Sequence, residues 1–445
     1  MGKAMLTDLY ELTMMAAYVD SRKDDTTTFE LSIRALPEGW GYFIANGIED
    51  AIDYLIGLRC DRRDIAFLKK KGLFKQSFLD FLECFRFSGE VYAVREGTPI
   101  FPNEPILRVT AKRTQAQLVE SALLNMVNFQ TMIASKSSRV VNAAARGNAL
   151  ISEFGLRRAH EEDAGMKGAR AAYIAGAAGT SNVKAGMEYG IPLVGTMAHS
   201  FVMSFPSELE AFRAYTRTFP ERPTLLIDTY NTLKGAKHDA IVARELAAAG
   251  GQLGGVRLDS GNLGALAKKV RKLFDDCGLT KVRIVASSDL NEYKIEELVR
   301  AAAPINIYGV GTELITAKPV AAIPGIYKLV EDSGGARMKL SPEKRSAPGK
   351  KQVFRRVGLD GKYAQDIVAL HNEPVPGVPL LTLAIKNGRR VRPKPALEQI
   401  RAYCLDEVAR LPNKLKSVNV LSRYPLETAP GLKALINKLI KKGGC

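Results

Sequence analysis

GVRLDSGNLGALAKKVRKLFDDCGLTKVRIVASSDLNEYKIEELVRAAAPINIYGVGT, residues 255–312, decides how the chain is read. Its apolar runs GVRLDS (255–260), VRIVASSD (282–289) and INIYGVGT (305–312) end in small or charged residues. The helix-like segments Leu263 to Phe274 and Asn291 to Ala302 separate them. Strand, helix, strand at this spacing marks parallel strands joined by helical crossovers. Moving towards the N-terminus, the rhythm continues through TLLIDT (224–229), PLVGTM (192–197), GAAGTS (176–181) and ALISEF (149–154), with Ala236 to Ala249 a further helical stretch. Seven strand candidates predict an α/β fold built as a βα barrel. GAAGTS suits a helix end equally well.

In such barrels the strand C-termini hold the chemistry. Here they are polar: Glu153, Thr180, Thr196, Asp228, Asp259, Asp289 and Thr312. Helix capping explains any one of them, but together they make this rim the candidate site. Four runs stand out. In YGVGT two glycines, Gly309 and Gly311, let backbone approach a phosphate, Thr312 adds a hydroxyl, and a helix N-terminus is expected to follow. In VRLDS, Arg257 and Asp259 alternate with apolar neighbours and so share one side of a strand. A guanidinium there suits a planar carboxylate, unless the two form only a structural pair. FGLRRAH (154–160) sets Phe154, a face for stacking, beside Arg157 and Arg158. GTMAHSF (195–201) places His199 after a strand end, with Asp228 ending the next strand within expected hydrogen-bonding reach. A carboxylate so placed fixes the imidazole tautomer and makes the other nitrogen a better base or nucleophile. A structural histidine is the plainer alternative.

Outside this region, Leu6 to Val19 reads as a helix, Thr27 to Ile33, Gly89 to Val94 and Ile106 to Val109 as strands, and Thr114 to Asn142 as a long helix. Beyond Lys328, Gln352 to Val357 and Ile367 to Leu370 look like strands and Pro374 to Pro379 is proline-rich. The division expected is 1–112 as an α+β segment, 113–330 as the barrel, and 331–445 returning to the smaller domain with a basic tail.

A length of 445 residues, 46% hydrophobic and 25% charged, is ordinary for a globular chain with room for a sizeable core. The net charge of +17 gathers modestly at Lys69–Lys71, between Lys344 and Arg356, and at Lys438, Lys441 and Lys442. None of these is interleaved with aromatics as a stacking platform would be, so no nucleic-acid partner is expected. Five scattered cysteines without a CxxC pair, no signal core and no spanning apolar run predict a cytoplasmic protein with no membrane partner.

In order, TDLYELTM (7–14), EFGLRRA (153–159), GTSNV (179–183), GTMAHSF, LLIDTY (225–230), VRLDSG and YGVGT resemble the nicotinate phosphoribosyltransferase family, over about Thr7 to Leu329. The resemblance implies a type II phosphoribosyltransferase fold, a seven-stranded irregular α/β barrel with a sandwich-like α+β domain made by both ends of the chain. It also implies a homodimer with shared active sites. Tyr10 from the neighbouring subunit and Phe154 would sandwich the pyridine ring, Arg257 would take the nicotinate carboxylate, and Thr196 would lie beside the substrate. Arg157, Gly309, Gly311 and Thr312 would hold the phosphates of phosphoribosyl pyrophosphate. His199 would accept phosphate from ATP with Asp228 orienting it, and Asp259 would organise the ribose, directly or through Mg²⁺. No resident protein metal site is implied. The neighbouring readings are a nicotinamide-using enzyme, disfavoured by the neutral Ser181 where that family carries an acid, and a quinolinate-using one, which lacks the His199 motif. A basic nucleic-acid-binding scaffold is the alternative from another class.

Overall fold

The structure, a computed structural model, describes residues 3–341 and 346–443, so Lys344, Arg345 and Cys445 lie outside the described residues. The chain divides into two compact units, Ile133–Ala321 and a second that combines residues 1–132 with 322–445.

The first unit is α/β. Its parallel sheet runs in the order Gly179–Thr180, Leu150–Glu153, Ile307–Val310, Arg283–Ala286, Gly255–Leu258, Thr224–Leu226, a curled half-barrel of six strands. Helices Thr232–Ala248, Leu263–Asp276 and Glu292–Arg300 make the crossovers. Asn231, Asn262 and Asn291 cap them, each side chain accepting from a backbone N–H of the first turn. The asparagines thus start each helix just past a strand end and keep the polar rim in register.

The seventh expected strand, PLVGTM, is reduced to one parallel bridge, Thr180 to Leu193. Pro192 at its start has no N–H to give the ladder, and Gly195 follows three residues later. GAAGTS yields only Gly179–Thr180, because the helix Glu162–Ile174 ends just before it and Gly176 takes a positive φ of 114°. Underneath, Glu292 is buried against two cations, Lys136 at 2.5 Å and Arg139 at 3.1 Å, while Lys136 also donates to the Lys318 carbonyl at 2.7 Å.

In the second unit both ends of the chain enter one sheet. Thr26–Ile33 pairs with Leu107–Lys112 and, antiparallel, with Gly325–Asp332; Glu90–Val94 pairs with Leu381–Lys386. Lys351–Val357 and Tyr363–Leu370 form the core of a four-stranded sheet. The predicted long helix is two, Arg113–Leu118 and Glu120–Ala145, and the first predicted helix begins at Leu9 rather than Leu6.

This unit accounts for much of the basic clustering. Lys69–Lys71 occupy the last turn of Arg62–Lys71, and Lys438 and Lys441 that of Pro430–Lys441, where cations oppose the helix dipole. Lys351 and Arg355 are buried on Glu30 at 2.8 Å and Asp366 at 2.6 Å.

Two stability predictions follow from these burials. Glu292→Gln leaves two buried cations short of charge, and chemical denaturation should show a loss of about 3–5 kcal/mol; an unchanged midpoint would contradict the pairing. Burial raises Glu11 from 4.5 to about 7, even though Gln117 donates to it at 2.8 Å. Between those pH values the folded state keeps a proton that the unfolded chain has released, so this group's contribution falls as pH rises through the window. Glu11→Gln should therefore gain melting temperature over the parent progressively from pH 5 to pH 8, and a pH-independent difference would refute this.

Candidate active site

The strand ends of the half-barrel open onto a cleft of about 610 Å³. Phe154, Arg157, Ser181, Thr196, His199, Arg257 and Asp259 all line it, although they come from four separate segments. What holds each in place begins with Arg257, third residue of its strand. Its Nε donates to Ser287 Oγ at 2.9 Å on the next strand end, and its Nη2 meets Asp259 Oδ1 at 3.0 Å. Its guanidinium stands 5.9 Å from the Phe154 ring centroid. Ser287 Oγ donates in turn to Asp259. Burial pushes the Asp259 carboxyl up, but the Ser287 hydrogen bond and the Arg257 charge outweigh it and hold the group below the usual carboxylate range. Asp259 thus stays anionic and keeps Arg257 oriented. Arg257 Nη1 also donates to the Met197 carbonyl at 3.4 Å, and the side chain keeps 16% of its surface exposed.

Glu153 anchors the opposite wall. Its buried carboxylate accepts from Thr180 Oγ1 at 2.5 Å and from the Gly155 N–H, while the Glu153 carbonyl takes the Ser181 N–H at 3.0 Å. This ties the Phe154 turn to the Ser181 turn. Burial raises the Glu153 carboxyl above its ordinary value. The Phe154 ring fills the space over Gly309, where a Cβ would come within 2.6 Å of two ring carbons.

Gly309 thus makes room for an aromatic ring. Gly309, Gly311 and Thr312 are not among the residues that line the cleft. The helix expected to follow them is a single turn, Thr312–Ile315, so its dipole at this loop is small. Tyr10 lies in the other unit, exposed on the helix Leu9–Asp20.

His199 opens the short helix His199–Met203. Its expected partner Asp228 does not reach it. The strand ends early, at Leu226, with a last bond from the Ile227 N–H to the Arg257 carbonyl at 3.2 Å, and Asp228 Oδ2 turns to accept from the Asp259 N–H at 2.8 Å and Ser260 Oγ at 2.6 Å. Thr229 instead meets His199 Nδ1 at 3.1 Å, and Asp259 lies 3.6 Å from Nε2. Asp228 is a brace between two strand ends. Thr229 and Ser287 are the site residues that sequence reasoning missed; each stands beside a residue that was noticed or inside a quoted run, but a hydroxyl carries no motif of its own.

Among the described residues no group of three His, Cys, Asp or Glu side chains forms a metal site, and no helix is long and apolar enough to cross a membrane.

A parallel sheet whose strand ends bring a guanidinium, an aromatic ring and a histidine to one cleft defines an α/β protein with its candidate site at the strand C-termini. Comparison with known proteins then narrows the class. Profiles described as the nicotinate phosphoribosyltransferase (NAPRTase) N-terminal domain, the NAPRTase family and the nicotinate phosphoribosyltransferase C-terminal domain match residues 5–128, 149–320 and 376–436. The chain is 45% identical over 418 residues to nicotinate phosphoribosyltransferase pncB2 of Mycobacterium tuberculosis, covering 93% of this chain and 89% of that one. It is 37% identical to nicotinate phosphoribosyltransferase of Bacillus subtilis, with 95% and 92% covered. The crystal structure of human nicotinic acid phosphoribosyltransferase superimposes with a TM-score of 0.87 at 30% identity, covering 98% of this chain and all of that one. The chain belongs to the nicotinate phosphoribosyltransferase family.

The Gly309 contact predicts that Gly309→Ala displaces the Phe154 ring and costs about 1–3 kcal/mol by overpacking. A crystal structure of the variant with that ring unmoved would contradict the account.

Proposed function

We propose that this chain joins nicotinate to phosphoribosyl pyrophosphate, forming nicotinate mononucleotide and pyrophosphate in NAD salvage, with ATP hydrolysis coupled to the transfer. One observation carries the reading: a paired but still accessible Arg257, a stacking face at Phe154 and a second cation at Arg157 line the same cleft. Nicotinate is a flat ring bearing one carboxylate. Arg257 takes the carboxylate through its exposed part, Phe154 aligns the ring, and Arg157 faces the phosphates. Held this way, the ring nitrogen is directed at the anomeric carbon as pyrophosphate departs, so positioning and charge stabilisation supply the catalysis and no protein nucleophile on the sugar is needed. Gly309, Gly311 and Thr312 are read as completing the phosphate end, and Thr196 as flanking the ring. Neutral Ser181 on the cleft wall suits an acid substrate, since a carboxylate there would repel it.

Magnesium enters as part of the substrate, on the pyrophosphate oxygens. Asp259 is the carboxylate lining the cleft that suits it. His199 is read as the phosphoryl acceptor from ATP: Thr229 engages Nδ1, Nε2 faces the cleft with Asp259 Oδ2 at 3.6 Å and takes the phosphoryl group as ADP leaves, and water then releases phosphate. The finer architecture, a seven-stranded irregular barrel with a sandwich-like domain, is supported by six strands plus the bridge at Leu193. A homodimer in which Tyr10 serves the neighbouring subunit is supported by the exposed Leu6, Leu9 and Tyr10 on one short segment.

The test is mononucleotide formation from phosphoribosyl pyrophosphate and Mg²⁺ with nicotinate, nicotinamide or quinolinate, with and without ATP. Nicotinate alone should be used efficiently. Arg257→Ala should lower kcat/KM for nicotinate roughly 30- to 3,000-fold, as for removal of one member of a buried charge pair, and should erase the preference over nicotinamide. His199→Ala should keep transfer and lose the ATP effect. Full ATP coupling in that variant removes the phosphohistidine, while retained nicotinate preference in Arg257→Ala removes the carboxylate assignment.

A further inference from the structure

The half-barrel has a second cavity at the opposite ends of its strands, of about 360 Å³. Arg222, Lys281 and Arg283 surround it with Gln252, over a floor that includes Thr224 and Val285, and none of its lining residues is acidic. The three cations are exposed, and among the described residues their side chains make no ion pair or hydrogen bond. That is unlike Lys136, Arg139, Arg257 and Arg271 in the same unit, each of which meets a carboxylate.

The backbone holds these cations together. Arg222 sits at a φ of 55°, a conformation arginine rarely adopts. Gly254 donates to the Pro223 carbonyl at 2.9 Å, and its carbonyl accepts from the Arg283 N–H at 3.1 Å. A Cβ on residue 254 would lie 2.3 Å from the Arg222 carbonyl oxygen, so only glycine lets these strand starts close up. Three like charges drawn into one concavity repel one another unless an anion lies between them.

Register connects this cavity to the catalytic cleft. Thr224, Gly255 and Arg283 pair across three neighbouring strands, and two residues on Leu226, Arg257 and Val285 do the same. Alternation puts both rows on one face of the sheet, a step of about 7 Å apart. Thr224, Arg283 and Val285 line the lower cavity, while Leu226 and Arg257 line the cleft.

We propose that the lower cavity binds a phosphate-bearing anion and that its occupancy weakens nicotinate binding in the cleft above. Two guanidinium groups and an ammonium suit phosphate oxygens, and the volume exceeds a single phosphate, which favours a diphosphate or a nucleotide. Anions on the order of 10 Å apart through protein should reduce each other's affinity about threefold to tenfold. The binding claim stands apart from the proposed function; the effect on nicotinate rests on it.

Isothermal titration of the full chain with pyrophosphate should give two sites per chain, one of them missing in Lys281→Ala/Arg283→Ala and, as a second check, in Arg222→Ala. An AMP arm separates the sources: AMP binding lost in the double variant assigns a nucleotide, and AMP binding retained there assigns a free inorganic anion. With phosphoribosyl pyrophosphate saturating, inorganic phosphate should raise the nicotinate KM threefold to tenfold in the parent and leave it unchanged in the double variant. Equal pyrophosphate stoichiometry in parent and variants overturns the site. An equal KM response overturns the coupling, whereas activity without phosphate should match the parent in both variants.

Discussion

Arg257 is a cation that the fold holds through all three guanidinium nitrogens while part of its side chain stays exposed to the cleft. Asp259, two residues along, keeps its charge matched; Ser287, from the next strand, ties both groups together; Phe154 stands beside the guanidinium. An arginine this hidden would be costly without its carboxylate. With it, the guanidinium is oriented before any ligand arrives, and an incoming planar anion meets donors already in place. Pre-orientation of this kind lowers the ordering cost of binding and fixes the ring's position relative to the sugar.

The remaining wall repeats this economy of means. Glu153 is buried, yet its two oxygens join the Phe154 turn to Thr180, so one carboxylate positions both the stacking ring and the Ser181 edge. Asp228 does the same for Asp259 and Ser260. Strand ends that read in the sequence as a row of candidate catalytic groups are thus divided between those that face the cleft and those that hold them there. Neither group works without the other, because a ligand-facing side chain on a loose loop would lose the geometry that transfer needs.

Much of this was legible beforehand, for identifiable reasons. The βα rhythm from Gly255 to Thr312 survives because each parallel strand is buried and each crossover opens on an asparagine cap. Arg257 and Asp259 could be assigned to one side because side chains alternate in a strand. What failed was local. PLVGTM has strand-like composition but begins with a proline and is held by a single bridge. The proposed His199–Asp228 contact assumed that strand geometry continued to residue 228, whereas the strand ends at Leu226 and the carboxylate turns to the Asp259 N–H and the Ser260 hydroxyl just past the end of the neighbouring strand. Ser287 and Thr229 passed unnoticed because a serine or threonine gains its role only from what the fold places opposite. The basic clusters, too, had no sequence-level explanation: Glu30, the partner of Lys351, lies 321 residues away, and Asp366 meets Arg355 only once two strands pair.

The most direct measurement is a crystal structure of the complex with nicotinate. The account predicts the carboxylate within hydrogen-bonding distance of the Arg257 guanidinium and the ring lying against Phe154. A nicotinate bound in that cleft with its carboxylate turned away from Arg257, or its ring clear of Phe154, would contradict it.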